Sequence, residues 1–182
     1  MLVRSPRTGV LVALLLIAAI SDIKTGRIPN WLVLGGAAYG LLYNAFFPVF
    51  PRDIGLLFAL GGLAVGLGAL LPLYFVRVMG AGDVKLMAMV GAFLGASATV
   101  AAMLATLITG GFLAIAFALC SGRLGRLVHN VATMFRGTLL TFASGVGGLT
   151  VHDGPSAGKM PYGIAIAAGT IGYMVLEQLG LI

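Results

Sequence analysis

The five acidic residues of this chain stand far apart, and long stretches between charges hold almost nothing but apolar side chains. Residues 31–51, 54–76 and 86–122 carry no Asp, Glu, Lys or Arg, and neither do residues 160–176. A helix needs about 20 predominantly apolar residues to cross a bilayer. Apolar residues make up 60% of the 182-residue chain and charged residues 9%, too few charges to coat a water-soluble body of this size. Composition therefore excludes a soluble globular enzyme, a disordered tail and a disulfide-stapled secreted module. The single Cys120 leaves no intrachain disulfide and no CxxC pair for zinc. The net charge of +6 is scattered, with no basic run interleaved with aromatics, so nucleic-acid binding is not expected.

The fold class expected is all-α, a polytopic membrane protein treated as one domain, residues 1–182. Six spans are placed at about 8–27, 31–50, 54–76, 83–97, 99–120 and 160–179. The stretch 86–122 is too long for one helix, and a break near Gly95-Ala96-Ser97 divides it. The first span is unusual. Thr8 to Ser21 is 14 residues, about 21 Å of helix, too short to cross. The helix is therefore expected to run on through Asp22, with Pro29 the first residue that forces a stop. Arg4 and Arg7 before an apolar run ending in Ala18-Ala19-Ile20-Ser21 also fit a signal peptide. A second span following at once favours a retained helix.

With six spans, one side of the membrane holds Lys24, Arg27, Arg77, Lys85, Arg123, Arg126, Arg136 and Lys159, and the other Arg4, Arg7 and Arg52. The positive-inside rule then puts the N-terminus outside and the larger set in the cytoplasm. In the loop 121–159, Leu124, Leu127, Val128, Val131 and Phe135 share one helical face, which predicts an amphipathic helix at the inner headgroups. Gly36-xxx-Gly40 and Gly62-xxx-Gly66 are small-residue pairs that permit close helix packing.

Acids within spans are costly and each asks for a reason. Asp53 sits in an outer turn beside Arg52, Asp153 in a polar loop and Glu177 near the C-terminus. Asp22 and Asp83 fall at the cytoplasmic ends of the first and fourth spans. Two carboxylates meeting across a bundle cannot both ionise cheaply, and a shared proton makes an aspartic dyad. The plainer reading is two interfacial acids or helix caps, paired with Lys24 or Lys85. Gly80 and Gly82, just before Asp83, would let the backbone open toward a groove, or simply form a turn before a capped helix.

These residues carry a resemblance. Gly80-Ala81-Gly82-Asp83-Val84-Lys85-Leu86 resembles the GxGD motif of intramembrane aspartic proteases in the form used by prepilin peptidases. Asp22 ahead of Ile28-Pro29-Asn30 is similar to the first motif of that family, and Lys159-Met160-Pro161-Tyr162-Gly163 to its late P-Y-G element. The resemblance implies a six-span peptidase of the bacterial inner membrane with no metal or organic cofactor. It would remove the basic leader of prepilins or pseudopilins at the cytoplasmic face. Asp22 and Asp83 would be the catalytic pair. Gly80 and Gly82 would shape the groove, Lys85 would help set the charge of the acid, and Pro161, Tyr162 and Gly163 would line the cleft. Larger members carry an N-terminal portion with cysteine pairs linked to N-methylation; without it in this sequence, peptidase activity alone is expected. The short form is similar to those serving tight-adherence (Flp-type) pili.

Other residues suggest less. His129 and His152 lack a partner cluster for a metal, and Trp31 and Tyr162 suit a membrane interface. Ser97 as a serine nucleophile would lie at the outer face without a histidine in a later span. A small ion- or proton-coupled transporter with Asp22 and Asp83 as relay carboxylates is the alternative from another class.

Overall fold

A computed structural model describes residues 6–47, 55–75, 79–120, 122, 125 and 162–181. The described residues form six helices and no strand: α1 Pro6–Thr25, α2 Asn30–Phe46, α3 Gly55–Phe75, α4 Ala81–Leu94, α5 Ala96–Cys120 and α6 Tyr162–Gln178. α1, α3 and α5 are long and apolar enough to cross a membrane. α2 and α6 have 17 residues each and α4 has 14. The predicted amphipathic helix, His129, His152, Asp53, Asp153 and Pro161 lie outside the described residues.

The chain divides into two compact units, Met1–Gly110 with Pro161–Ile182, and Gly111–Met160. Of the second, the described part is chiefly the C-terminal portion of α5, where Phe112, Ile115, Phe117 and Leu119 are exposed apolar residues.

The first unit is built around α4. From Asp83 to Phe93 all its residues but Lys85 are buried, so the helix is apolar on every side and needs neighbours on every side. α3 and α2 supply most of that cover, and α6 and α1 add to it. Both small-residue pairs noted in the sequence serve this packing. A Cβ on Gly62 would run into the Gly91 carbonyl, and one on Gly91 into Gly62, so α3 and α4 meet backbone to backbone. On the other flank Gly36 makes room for the Met89 thioether, and Gly40 for the Phe93 ring and the Ala92 carbonyl. Met87 and Met89 are fully buried packing residues.

α4 ends where the sequence predicts a break. Gly95 adopts φ +80°, a left-handed conformation that glycine tolerates, and the Phe58 ring occupies the place of a side chain. The first helix does run through Asp22, but Pro29 is not what stops it. It stops at Thr25, four residues earlier, because Gly26 turns left-handed at φ +62° and donates its N–H to the Asp22 carbonyl at 2.8 Å. The Ser21 and Thr25 hydroxyls then donate to the Arg27 carbonyl at 3.0 and 3.1 Å, closing the turn into α2.

Candidate active site

Asp22 owes its burial to its register. Leu11, Leu15, Ala18 and Asp22 recur every three or four residues and form the buried stripe of α1, so the acid continues an apolar face. It is 8% exposed. Asp83 is 9% exposed and lies in the first turn of α4, three residues past the helix-capping position at Gly80. Its Oδ2 accepts the Gly80 N–H at 3.3 Å, while its own N–H donates to the Gly80 carbonyl at 3.2 Å. Gly80 has no side chain, so only the returning half of a capping box forms.

The two acids come from helices α1 and α4 and stand close enough for their carboxyls to interact electrostatically. A third element closes on them. The backbone N–H of Gly163, second residue of α6, donates to Asp22 Oδ2 at 2.7 Å. The first four N–H groups of a helix lack intrahelical partners, and here a carboxylate from another helix satisfies one. The approach is so close that a Cβ on Gly163 would stand 2.8 Å from Oδ2.

Four other residues singled out from the sequence are chain neighbours of Asp83 or of Gly163. Gly82 packs against Ile28, whose Cβ would lie 3.4 Å from a Cβ there, so the Ile28-Pro29-Asn30 turn leans on the segment leading to Asp83. Gly80 has φ −76° and ψ 151°, an extended conformation open to any residue. What favours glycine there is space, since a Cβ would stand 3.2 Å from Asp83 Oδ2. Lys85 is exposed and donates from Nζ to Asn30 Oδ1 at 3.1 Å, tying α4 to the start of α2. Tyr162 is half-buried and packs on the edge of the core.

Sequence reasoning passed over the buried polar residues Asn44, Thr99, Thr106 and Thr170, of which Asn44 bridges helices. Asn44, in α2, is completely buried and hydrogen-bonded to Arg7 and to the Ala92 carbonyl. A lone amide inside an apolar span was the available signal, because such a group requires partners.

Residues 9–115 match the model of the type IV leader peptidase family, a stretch that includes Asp22, the Ile28-Pro29-Asn30 turn and the segment from Gly80 to Asp83. The chain belongs to this family. No curated protein and no solved structure gives a significant match. As a leader peptidase with three helices able to cross a bilayer, it is a membrane-embedded hydrolase, and membership implies prepilin-type leader substrates. Pro161, Tyr162 and Gly163 lie beyond the matched stretch, and α6 reaches the acid of α1 through the Gly163–Asp22 hydrogen bond.

Proposed function

We propose that this leader peptidase is an aspartic endopeptidase with Asp22 and Asp83 as its catalytic dyad, cutting Flp-type prepilins or pseudopilins at the cytoplasmic face of the bacterial inner membrane. The observation that carries the reading is the convergence of two buried carboxyls, from α1 and α4, in a unit whose core is chiefly apolar. Such a pair shares a proton. The ionised carboxylate takes a proton from water as the water oxygen attacks the peptide carbonyl carbon. The protonated partner meanwhile donates its hydrogen to the carbonyl oxygen. Collapse of the tetrahedral adduct breaks the C–N bond, and a proton passes to the departing amine. The chemistry uses no metal.

The proposal keeps six spans with the N-terminus outside. α2, α4 and α6 are short for a bilayer of about 30 Å, but a helix enclosed by protein can end within the hydrocarbon if its terminal carbonyls find partners. Lys24, Arg27 and Lys85 of the inner set then lie at the end of the bundle that carries both acids. Family membership favours this reading over the ion relay.

Co-expression with a Flp-type prepilin tests it, with leader removal followed by gel shift and mass spectrometry. Wild type is expected to cut, and Asp22→Asn and Asp83→Asn are each expected to leave the leader intact at equal membrane levels. Cleavage surviving either substitution would remove the dyad.

A further inference from the structure

α1 and α4 carry the two acids, yet they pack mainly on other partners, α1 on α6 and α4 on α3 and α2. Direct contact along their length is slight, so their axial register has to come from elsewhere. In hydrocarbon no hydrophobic force holds helices together, and close packing and interhelical hydrogen bonds share that task.

One residue bonds both helices at the end away from the acids. Asn44 Nδ2 donates to the Ala92 carbonyl of α4 at 2.9 Å and to the Gly40 carbonyl of its own helix at 2.9 Å. Its Oδ1 accepts from Arg7 Nη1 of α1 at 3.1 Å. Both amide hydrogens and the carbonyl oxygen are thus used, and the side chain is fully buried. The Ala92 carbonyl lies in the last turn of α4, one residue beyond the Gly91 carbonyl that accepts the Gly95 N–H at 2.9 Å, and is left without an intrahelical donor because Gly95 turns the chain away. Arg7 is also within electrostatic reach of Tyr43 and of Glu177 on α6. From this clasp to the acids is about 22 Å along α1 and about 13 Å along α4.

We infer that Asn44 is a positioning residue for peptide hydrolysis: by gripping α1 through Arg7 and α4 through the Ala92 carbonyl, it sets the height of Asp22 against Asp83. The inference rests on the reading of these two acids as a dyad. A shift of about 1 Å at reacting groups can cost about a hundredfold in rate, so a clasp remote from the chemistry has kinetic consequences.

Two readouts test it. In full-length protein with Cys120→Ser, Asp22→Cys and Asp83→Cys are joined by a short bis-maleimide in native membranes, with Asn44 intact or replaced by leucine. Leader cleavage is measured separately in protein that keeps both acids. Asn44→Leu is expected to lower crosslinking per inserted molecule and to lower kcat about ten- to a hundredfold, with KM within about twofold. Asn44→Asp keeps the acceptor for Arg7 and loses the donors to Ala92 and Gly40; it is expected to act in the same direction, and it carries the decision if Asn44→Leu does not accumulate. Unchanged crosslinking and unchanged kcat per inserted molecule would overturn the inference. If protein with Asn44 and both acids cuts no prepilin, the peptidase reading fails, and crosslinking alone decides whether Asn44 sets the register.

Discussion

Across 141 positions of sequence, the backbone N–H of Gly163 reaches Oδ2 of Asp22 at 2.7 Å, and the bare α-carbon of the glycine lets the acid come that close. A methyl group at position 163 would stand 2.8 Å from Oδ2 and 3.0 Å from the Asp22 Cβ, so the acid or the start of α6 must move. Gly163→Ala is expected to lower kcat for leader cleavage about ten- to a hundredfold. Gly68→Ala is the matched control. Gly68 lies in α3 with nothing within 4 Å of a would-be Cβ, and alanine is the better helix former by about 1 kcal/mol. It should cut as wild type does and be no less stable. Normal turnover by Gly163→Ala would show that the Asp22–Gly163 contact is not needed.

The dyad makes a prediction about coupling that single substitutions do not. Positioned acid–base groups contribute about 10²–10⁴-fold, and groups that act as a unit give non-additive losses. Asp22→Asn and Asp83→Asn should each reduce cleavage by about a thousandfold or more, and the double variant should be no slower than the worse single. Quantitative leader processing by purified protein measures this. Losses that multiply would mean that the acids serve separate steps.

Much of this arrangement can be read along the chain, and the rest is hidden for a definite reason. Helices follow from apolar runs bounded by charge and by glycine, so the Gly95 break was legible. The Gly26 stop was missed in favour of Pro29, although a glycine closely following Lys24 at a helix end is a standard terminator. The burial of Asp22 was implicit in its sharing the stripe of Leu11, Leu15 and Ala18. Pairings between distant segments were not legible. The Gly163 amide carries no side-chain signal at all, and that α6 should meet α1 follows only from the packed bundle. Asn44 announced a need for partners, but Ala92 became one only because α4 ends short at Gly95.

Lys85 offers a sharper test of its role. Its ammonium bonds Asn30 Oδ1 at 3.1 Å in an exposed position. Exposed hydrogen bonds exchange readily with water and contribute little net stability. Lys85→Met and Asn30→Ala should each change kcat/KM by less than about fivefold, and the pair together no more than the larger single effect. A loss of about a hundredfold confined to Lys85→Met would instead give the lysine a direct part at the acid or the substrate.

The seam between α3 and α4 predicts where the bundle is least tolerant of added volume. At Gly62 and Gly91 the obstacle to a methyl group is the facing backbone, which cannot swing aside without moving a whole helix. At Gly36 the obstacles are the Met89 sulfur and a Leu14 methyl, flexible side-chain ends that can find another rotamer. Overpacking of a tight core costs about 1–3 kcal/mol and sometimes more, so Gly62→Ala and Gly91→Ala should fall at or beyond that range. Gly36→Ala should fall below it. The check is the thermal unfolding midpoint of each variant in one detergent, read beside the level of inserted protein. Because α4 also carries Asp83, the two seam variants should lose leader cleavage as well, whereas Gly36→Ala should retain most of it. Equal destabilisation at all three glycines would mean that the α3–α4 backbone contact is no tighter than the α2–α4 side-chain contact.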